Sequence, residues 1–75
     1  MDFSVAIKKA RKECYMSQAD FAAEIDVSFS TVNRWETGKA YPNYQTMKRL
    51  VEYLKKCNVS VRDVEQSWKR GKEND

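Results

Sequence analysis

Residues 17–38 read SQADFAAEIDVSFSTVNRWETG, and this stretch decides the fold. Ser17 and Ser28 each precede a helix-forming run, where a side-chain oxygen accepts a bond from a free N–H of the first turn. Asp20 follows Ser17 by three residues, and its charge suits the positive end of a helix. Phe21 and Ile25 lie four apart, with Ala22 and Ala23 between them. Val32 and Trp35 lie three apart, so each pair shares one helix face. Asp26 tolerates a left-handed turn, and Gly38 is the usual residue just past a helix end. The stretch therefore predicts two short helices joined by Asp26-Val27-Ser28. Phe21 and Ile25 anchor the first helix, Val27 fills the corner, and Val32 and Trp35 anchor the second. Ala22 must be small because the second helix passes close over it. Phe29, Ser30, Thr31, Asn33 and Arg34 are left on the outer face of the second helix. This is the outline of a helix-turn-helix.

The flanks are helical too. Phe3, Ile7, Ala10 and Cys14 recur at one-face spacing before the central unit, and Lys8, Lys9, Arg11 and Lys12 between them read as a solvated basic face. Lys39-Ala40-Tyr41-Pro42 forms a loop in which proline stops the preceding helix. A fourth helix opens at Asn43 and runs to about Cys57. Its stripe of Tyr44, Met47, Leu50, Val51 and Leu54 reads as core. A fifth opens at Ser60-Val61-Arg62-Asp63, a capping-box-like start, and places Val61, Val64 and Trp68 on one face. The expected organisation is one domain over residues 1–68 and a polar, frayed tail over 69–75. No strand pattern or internal repeat competes, so the fold class is all-α with five helices.

Composition bounds the function. A chain of 75 residues allows one domain, and so small a domain buries only roughly 60% of its unfolded surface. Residues 1–57 carry 10 Lys/Arg against 7 Asp/Glu, and residues 58–75 carry 4 of each, so the net charge of +3 belongs to the first part. That excess suits a polyanionic partner without deciding it. With two cysteines and no histidine, Cys14 and Cys57 cannot complete a four-ligand zinc site. They read as free, buried thiols in a reducing cytoplasm. No secretory or membrane-spanning run stands out. No cofactor, metal or small-molecule ligand is expected. An enzyme is not expected either, because histidine, a phosphate-cradling glycine loop and an identifiable Ser-base pair are all missing.

The central stretch resembles the helix-turn-helix of the phage Cro/CI repressor-like group, the XRE family. The resemblance extends to AIKKAR before it and to YPNYQTMKRLVEYL and VSVRDVEQSW after it, covering about residues 3–68. It implies the five-helix lambda-repressor-like fold and a sequence-specific regulator that binds double-stranded DNA, with residues 28–37 as recognition helix. Phe29, Ser30, Thr31, Asn33 and Arg34 would then contact bases, with Arg34 facing guanine or a phosphate. Gln18, Lys39, Asn43 and Tyr44 would contact phosphates, the N-terminus of the second helix adding its free N–H groups and dipole. Arg11 and Glu36 would pair as a clamp between the first and third helices. Plainer readings leave Gln18 a solvated first-turn residue and Phe29 a hydrophobic contact. Relatives often carry glycine at the positions of Tyr15 and Asp26. Tyrosine is strained at positive φ, so the first turn is expected to differ in shape.

One such module makes a small interface, so a homodimer on a near-palindromic operator is expected. The fifth helix with Trp68 would form its surface, unless Trp68 packs within its own chain. A phage or mobile-element repressor, a restriction controller and an antitoxin-type autoregulator all fit. The alternative is a protein-interaction adaptor that keeps the fold without binding DNA.

Overall fold

The computed structural model describes residues 1–73, with side chains through Gly71, as five helices. They are α1 (Phe3–Glu13), α2 (Gln18–Glu24), α3 (Phe29–Glu36), α4 (Tyr44–Lys56) and α5 (Arg62–Glu73). No strand occurs among the described residues. The chain is all-α, as its patterning predicts.

Side-chain caps start three of the helices. Ser17 Oγ accepts from the Asp20 N–H at 3.0 Å, Ser28 Oγ from the Thr31 N–H at 3.1 Å and Asn43 Oδ1 from the Thr46 N–H at 2.9 Å. Each bond satisfies a donor that would otherwise have no partner in the helix. The start of α5 departs from expectation. Ser60 Oγ accepts from the Arg62 N–H at 3.4 Å, so it bonds two residues on instead of three. Val61 is the residue directly before α5, and its carbonyl takes the Glu65 N–H.

Four helices end in one way. Tyr15, Asp26, Gly38 and Asn58 follow α1, α2, α3 and α4 with φ of 59°, 59°, 75° and 63°. At every one of these ends, two N–H groups beyond the helix reach back to its last carbonyls. The bonds are Tyr15 to Lys12 and Met16 to Arg11, Asp26 to Ala23 and Val27 to Ala22, Gly38 to Trp35 and Lys39 to Arg34, and Asn58 to Lys55 and Val59 to Leu54. This is the Schellman closure. Met16, Val27 and Val59, the third residue beyond α1, α2 and α4, pack on the core and fix the exit direction. The expectation that Tyr15 reshapes the first turn is corrected. The tyrosine takes the left-handed conformation, and the turn keeps the common form.

One core joins all five helices. Phe3, Ile7, Phe21, Ile25, Val32, Trp35, Leu50, Leu54 and Val64 are buried. α1 packs on α5 and α3, and α2 packs on α3. Ala22 is buried as well. Removing the Trp35 side chain would cost about 3–5 kcal/mol, close to the whole stability of a small domain.

Three further expectations are revised. Tyr44, the first member of the α4 stripe, is 76% exposed, because its position in the first turn reaches past the core edge. Trp68 is 6% exposed and belongs to the chain's own core. The tail expected from Lys69 continues α5 through Glu73, and positions 74 and 75 lie outside the described residues. The thiols of Cys14 and Cys57 are free and half-buried at the C-caps of α1 and α4. Burial, then a hydrogen bond with Cys57, pushes the Cys14 thiol up to about 12. Tyr53 is likewise pushed up to about 12 by burial and by the Cys57 thiol.

Candidate nucleic-acid interface

α3 has one buried edge and one open face. Val32 and Trp35 are 0% and 2% exposed. Phe29, Ser30, Asn33 and Arg34 are exposed on the opposite side. The arrangement follows from helical periodicity, since 30, 33, 34 and 37 share a face that 32 and 35 do not. Thr31 is half-buried, and its hydroxyl lies 2.8 Å from Ser28 Oγ. Ser30 Oγ lies 3.1 Å from the same oxygen. The N-cap serine thus orders both hydroxyls at the start of the helix. Phe29 does not fold back; it stands 54% exposed at the leading turn.

A buried ion pair fixes the far end of α3. Arg11 Nε donates to Glu36 Oε2 at 2.7 Å and Arg11 Nη2 to Oε1 at 3.0 Å, a two-pronged contact. Arg11 Nη1 donates to the Met16 carbonyl at 2.8 Å, so one guanidinium ties α1, the α1–α2 turn and α3 together. The hydrogen bond to Glu36 raises the Arg11 pKa above its ordinary value, against the opposing effect of burial. Gln18 enters the same cluster. Its Nε2 donates to Glu36 Oε1 at 3.0 Å and lies 3.5 Å from Asn33 Oδ1. The amide therefore bridges the start of α2 to the open face of α3. An amide carries two N–H donors. The short bond to Glu36 uses one, and the long 3.5 Å contact with Asn33 leaves the second available to a stronger acceptor.

The loop after α3 forms the other border. The Lys39 N–H bonds the Arg34 carbonyl at 2.8 Å, and Arg34 Nη2 lies 3.5 Å from the Lys39 carbonyl. These contacts draw the loop against the end of the helix and leave the Lys39 side chain exposed. Asn43 is exposed and uses its oxygen as the α4 cap, which leaves its NH2 group as a donor. Tyr44 projects beside it, its ring edge-on to Trp68 with centroids 5.1 Å apart. Gln18 thus meets Asn33, and Arg34 meets Lys39, with Asn43 and Tyr44 following in sequence beyond Pro42.

Several positioning contacts escaped the sequence reading. Arg49 Nε donates to the Ile25 carbonyl at 3.1 Å, tying α4 to the turn between α2 and α3. Trp68 Nε1 donates to the buried Pro42 carbonyl at 2.8 Å, tying α5 to the loop that carries Lys39. A Cβ added at Gly71 would sit 2.5 Å from the Tyr41 ring, so glycine admits that ring against α5. The Gln18–Glu36 bond is a fourth. Partners lie 18 to 26 residues apart in these hydrogen bonds, and no local pattern marks them.

Among the described residues, no three His, Cys, Asp or Glu side chains gather as a metal site. No described helix is long and apolar enough to cross a membrane. What the open face offers is a row of amide, hydroxyl and guanidinium groups beside an exposed lysine.

Residues 7–61 match the helix-turn-helix family model HTH_3. The chain is similar to the HTH-type transcriptional activator BcrR of Enterococcus faecalis, 28% identical over 72% of this chain and 26% of that protein. It is similar to multiprotein-bridging factor 1c of Arabidopsis thaliana, 42% identical over 64% of this chain and 32% of that protein. Multiprotein-bridging factor 1 of Debaryomyces hansenii is 36% identical over 72% of this chain and 36% of that protein. The chain thus spans about a quarter to a third of these relatives. No solved structure is a significant match.

Proposed function

We propose, from the premise that this chain belongs to the Cro/CI-type helix-turn-helix (XRE) family, that it is a sequence-specific double-stranded DNA-binding transcriptional regulator. One observation carries the reading. On α3, Val32 and Trp35 are buried while Ser30, Asn33 and Arg34 are exposed, so the helix can enter a major groove without losing its anchors. Asn33 suits adenine and Arg34 suits guanine, with Phe29, Ser30 and Thr31 completing the base-facing set. Gln18, Lys39, Asn43 and Tyr44 hold phosphates on either side and set the register. The rigid Arg11–Glu36–Gln18 cluster supports this assignment, because it fixes the angle of α3 against α2.

Such a module acts as a homodimer on two half-sites. Trp68 is occupied within the chain, so a dimer contact on α5 would use its outer residues Gln66, Lys69 and Arg70. The site of action is the cytoplasm, where free Cys14 and Cys57 and a DNA partner are compatible.

The test is selection of bound duplexes from a random pool. Enrichment of one motif, with binding that weakens steeply as salt rises, supports the reading. Arg34→Ala is expected to cost about 1–3 kcal/mol and to relax one base pair. An equal loss on every sequence would make Arg34 a phosphate contact. The relatives named as multiprotein-bridging factors favour a second reading, an adaptor that uses the fold to join proteins. Folded chain that binds no duplex even at low salt would select the adaptor.

A further inference from the structure

A second feature lies beside the recognition helix, on the outer side of α1. Lys8, Lys9, Lys12, Glu13, Tyr15 and Glu36 are among the residues that line an open groove of about 690 Å³. Arg11 neutralises Glu36, so three lysines face one free carboxylate, Glu13. The groove adjoins the interface, because Glu36, one of its lining residues, also accepts from Gln18.

Tyr15 is the anomaly that gives the groove meaning. It takes φ 59° and is 96% exposed. A left-handed conformation costs an ordinary L-residue about 1–2 kcal/mol. Gly38 avoids that cost at the matching end of α3, and Asp26 and Asn58 are the short polar residues that bear it best. A bulky aromatic at this place recovers nothing by burial. Strain kept at an exposed position points to a use outside the fold.

We propose that this groove carries the sugar-phosphate backbone of the duplex where it leaves the recognition helix, with Lys8, Lys9 and Lys12 on phosphates and the Tyr15 ring against the sugar. The proposal rests on the DNA-binding reading and extends its footprint. The occupant follows from charge, since a row of ammonium groups complements a polyanion, and from position, since Glu36 both lines the groove and accepts from Gln18 beside the recognition helix. Contacts of this kind carry no base information, so they add affinity and salt dependence to every sequence alike. The basic run in α1 thereby gains a role beyond solvation.

The experiment measures binding against salt for the unaltered chain, Lys8→Gln/Lys12→Gln and Tyr15→Gly. Each is tested on the selected duplex and on a version trimmed to the recognised base pairs. For the double variant, the slope of log affinity against log salt should flatten by about 1.8, roughly 0.9 for each lost phosphate contact. Base preference should stay unchanged, and the difference should vanish on the trimmed duplex. Tyr15→Gly should bind the long duplex severalfold more weakly while melting higher. Unchanged slopes and affinities in both variants, with Arg34→Ala still impaired, would overturn the groove and leave the recognition helix standing. Absence of duplex binding by the unaltered chain would overturn both.

Discussion

The indole N–H of Trp68 reaches 2.8 Å across to the carbonyl oxygen of Pro42, joining the last helix to the loop that follows the recognition helix. Pro42 is buried, and a buried carbonyl without a donor costs more than the hydrogen bond itself contributes. α5 therefore holds the 39–42 loop in place, and Gly71 against Tyr41 extends the same contact. Trp68→Phe keeps most of the ring and removes the donor. It is expected to cost about 1–3 kcal/mol, a fall in Tm of about 4–8 °C for each kcal/mol in a domain of this size. Thermal denaturation followed by circular dichroism checks this. An unchanged Tm would mean that the bond contributes nothing.

The Arg11–Glu36 pair predicts an asymmetry between single and double substitution. Both side chains are nearly covered, 10% and 3% exposed. Removing one partner strands the other charge, so Glu36→Ala should cost about 3–5 kcal/mol. Arg11→Met/Glu36→Leu removes both charges and should recover part of that loss. Urea titration of the three proteins provides the comparison, and a double variant less stable than the single would contradict it.

Tyr15 predicts a stabilising substitution. Tyr15→Gly relieves a left-handed tyrosine and gives up almost no burial. Against this, glycine adds freedom to the unfolded chain, which offsets part of the gain. The expected net is a gain on the order of 0.5–1 kcal/mol. The same change at Asn58 should do less, since asparagine already tolerates this conformation. Melting curves for the two variants decide the order.

Stability should fall at alkaline pH. The Cys14 thiol stands at about 12 in the fold against an ordinary 9.0, and the Tyr53 phenol at about 12 against 10.0. Above pH 9 the unfolded chain loses these protons before the folded chain does, so rising pH favours unfolding. The stabilisation is complete below pH 9 and is lost as pH climbs through the folded values. Cys14→Ala should flatten the decline between pH 9 and 11. A slope identical to that of the unaltered chain would exclude Cys14 as its source.

Local chemistry made much of the fold legible. Ser17, Ser28 and Asn43 cap helices because the groups they bond lie three residues away, and spacing alone turns Val32 and Trp35 inward. Where a local rule conflicted with the turn, as at Tyr15, the backbone closure and the packing of Met16 prevailed over intrinsic preference. Ser60 marks the opposite limit, since a plausible capping pattern there gave a bond to Arg62 two residues on.

The sequence by itself determined five amphipathic helices, the caps of α2, α3 and α4 and the outward set on α3, because each depends on residues a turn or less apart. Only the tertiary structure decided how that set is held. Arg11 meets Glu36 across 25 residues, Gln18 meets Glu36 across 18, and Trp68 meets Pro42 across 26. Hydrogen bonds of this reach require distant side chains to be brought together first, and the burial of one shared core supplies the free energy that does so.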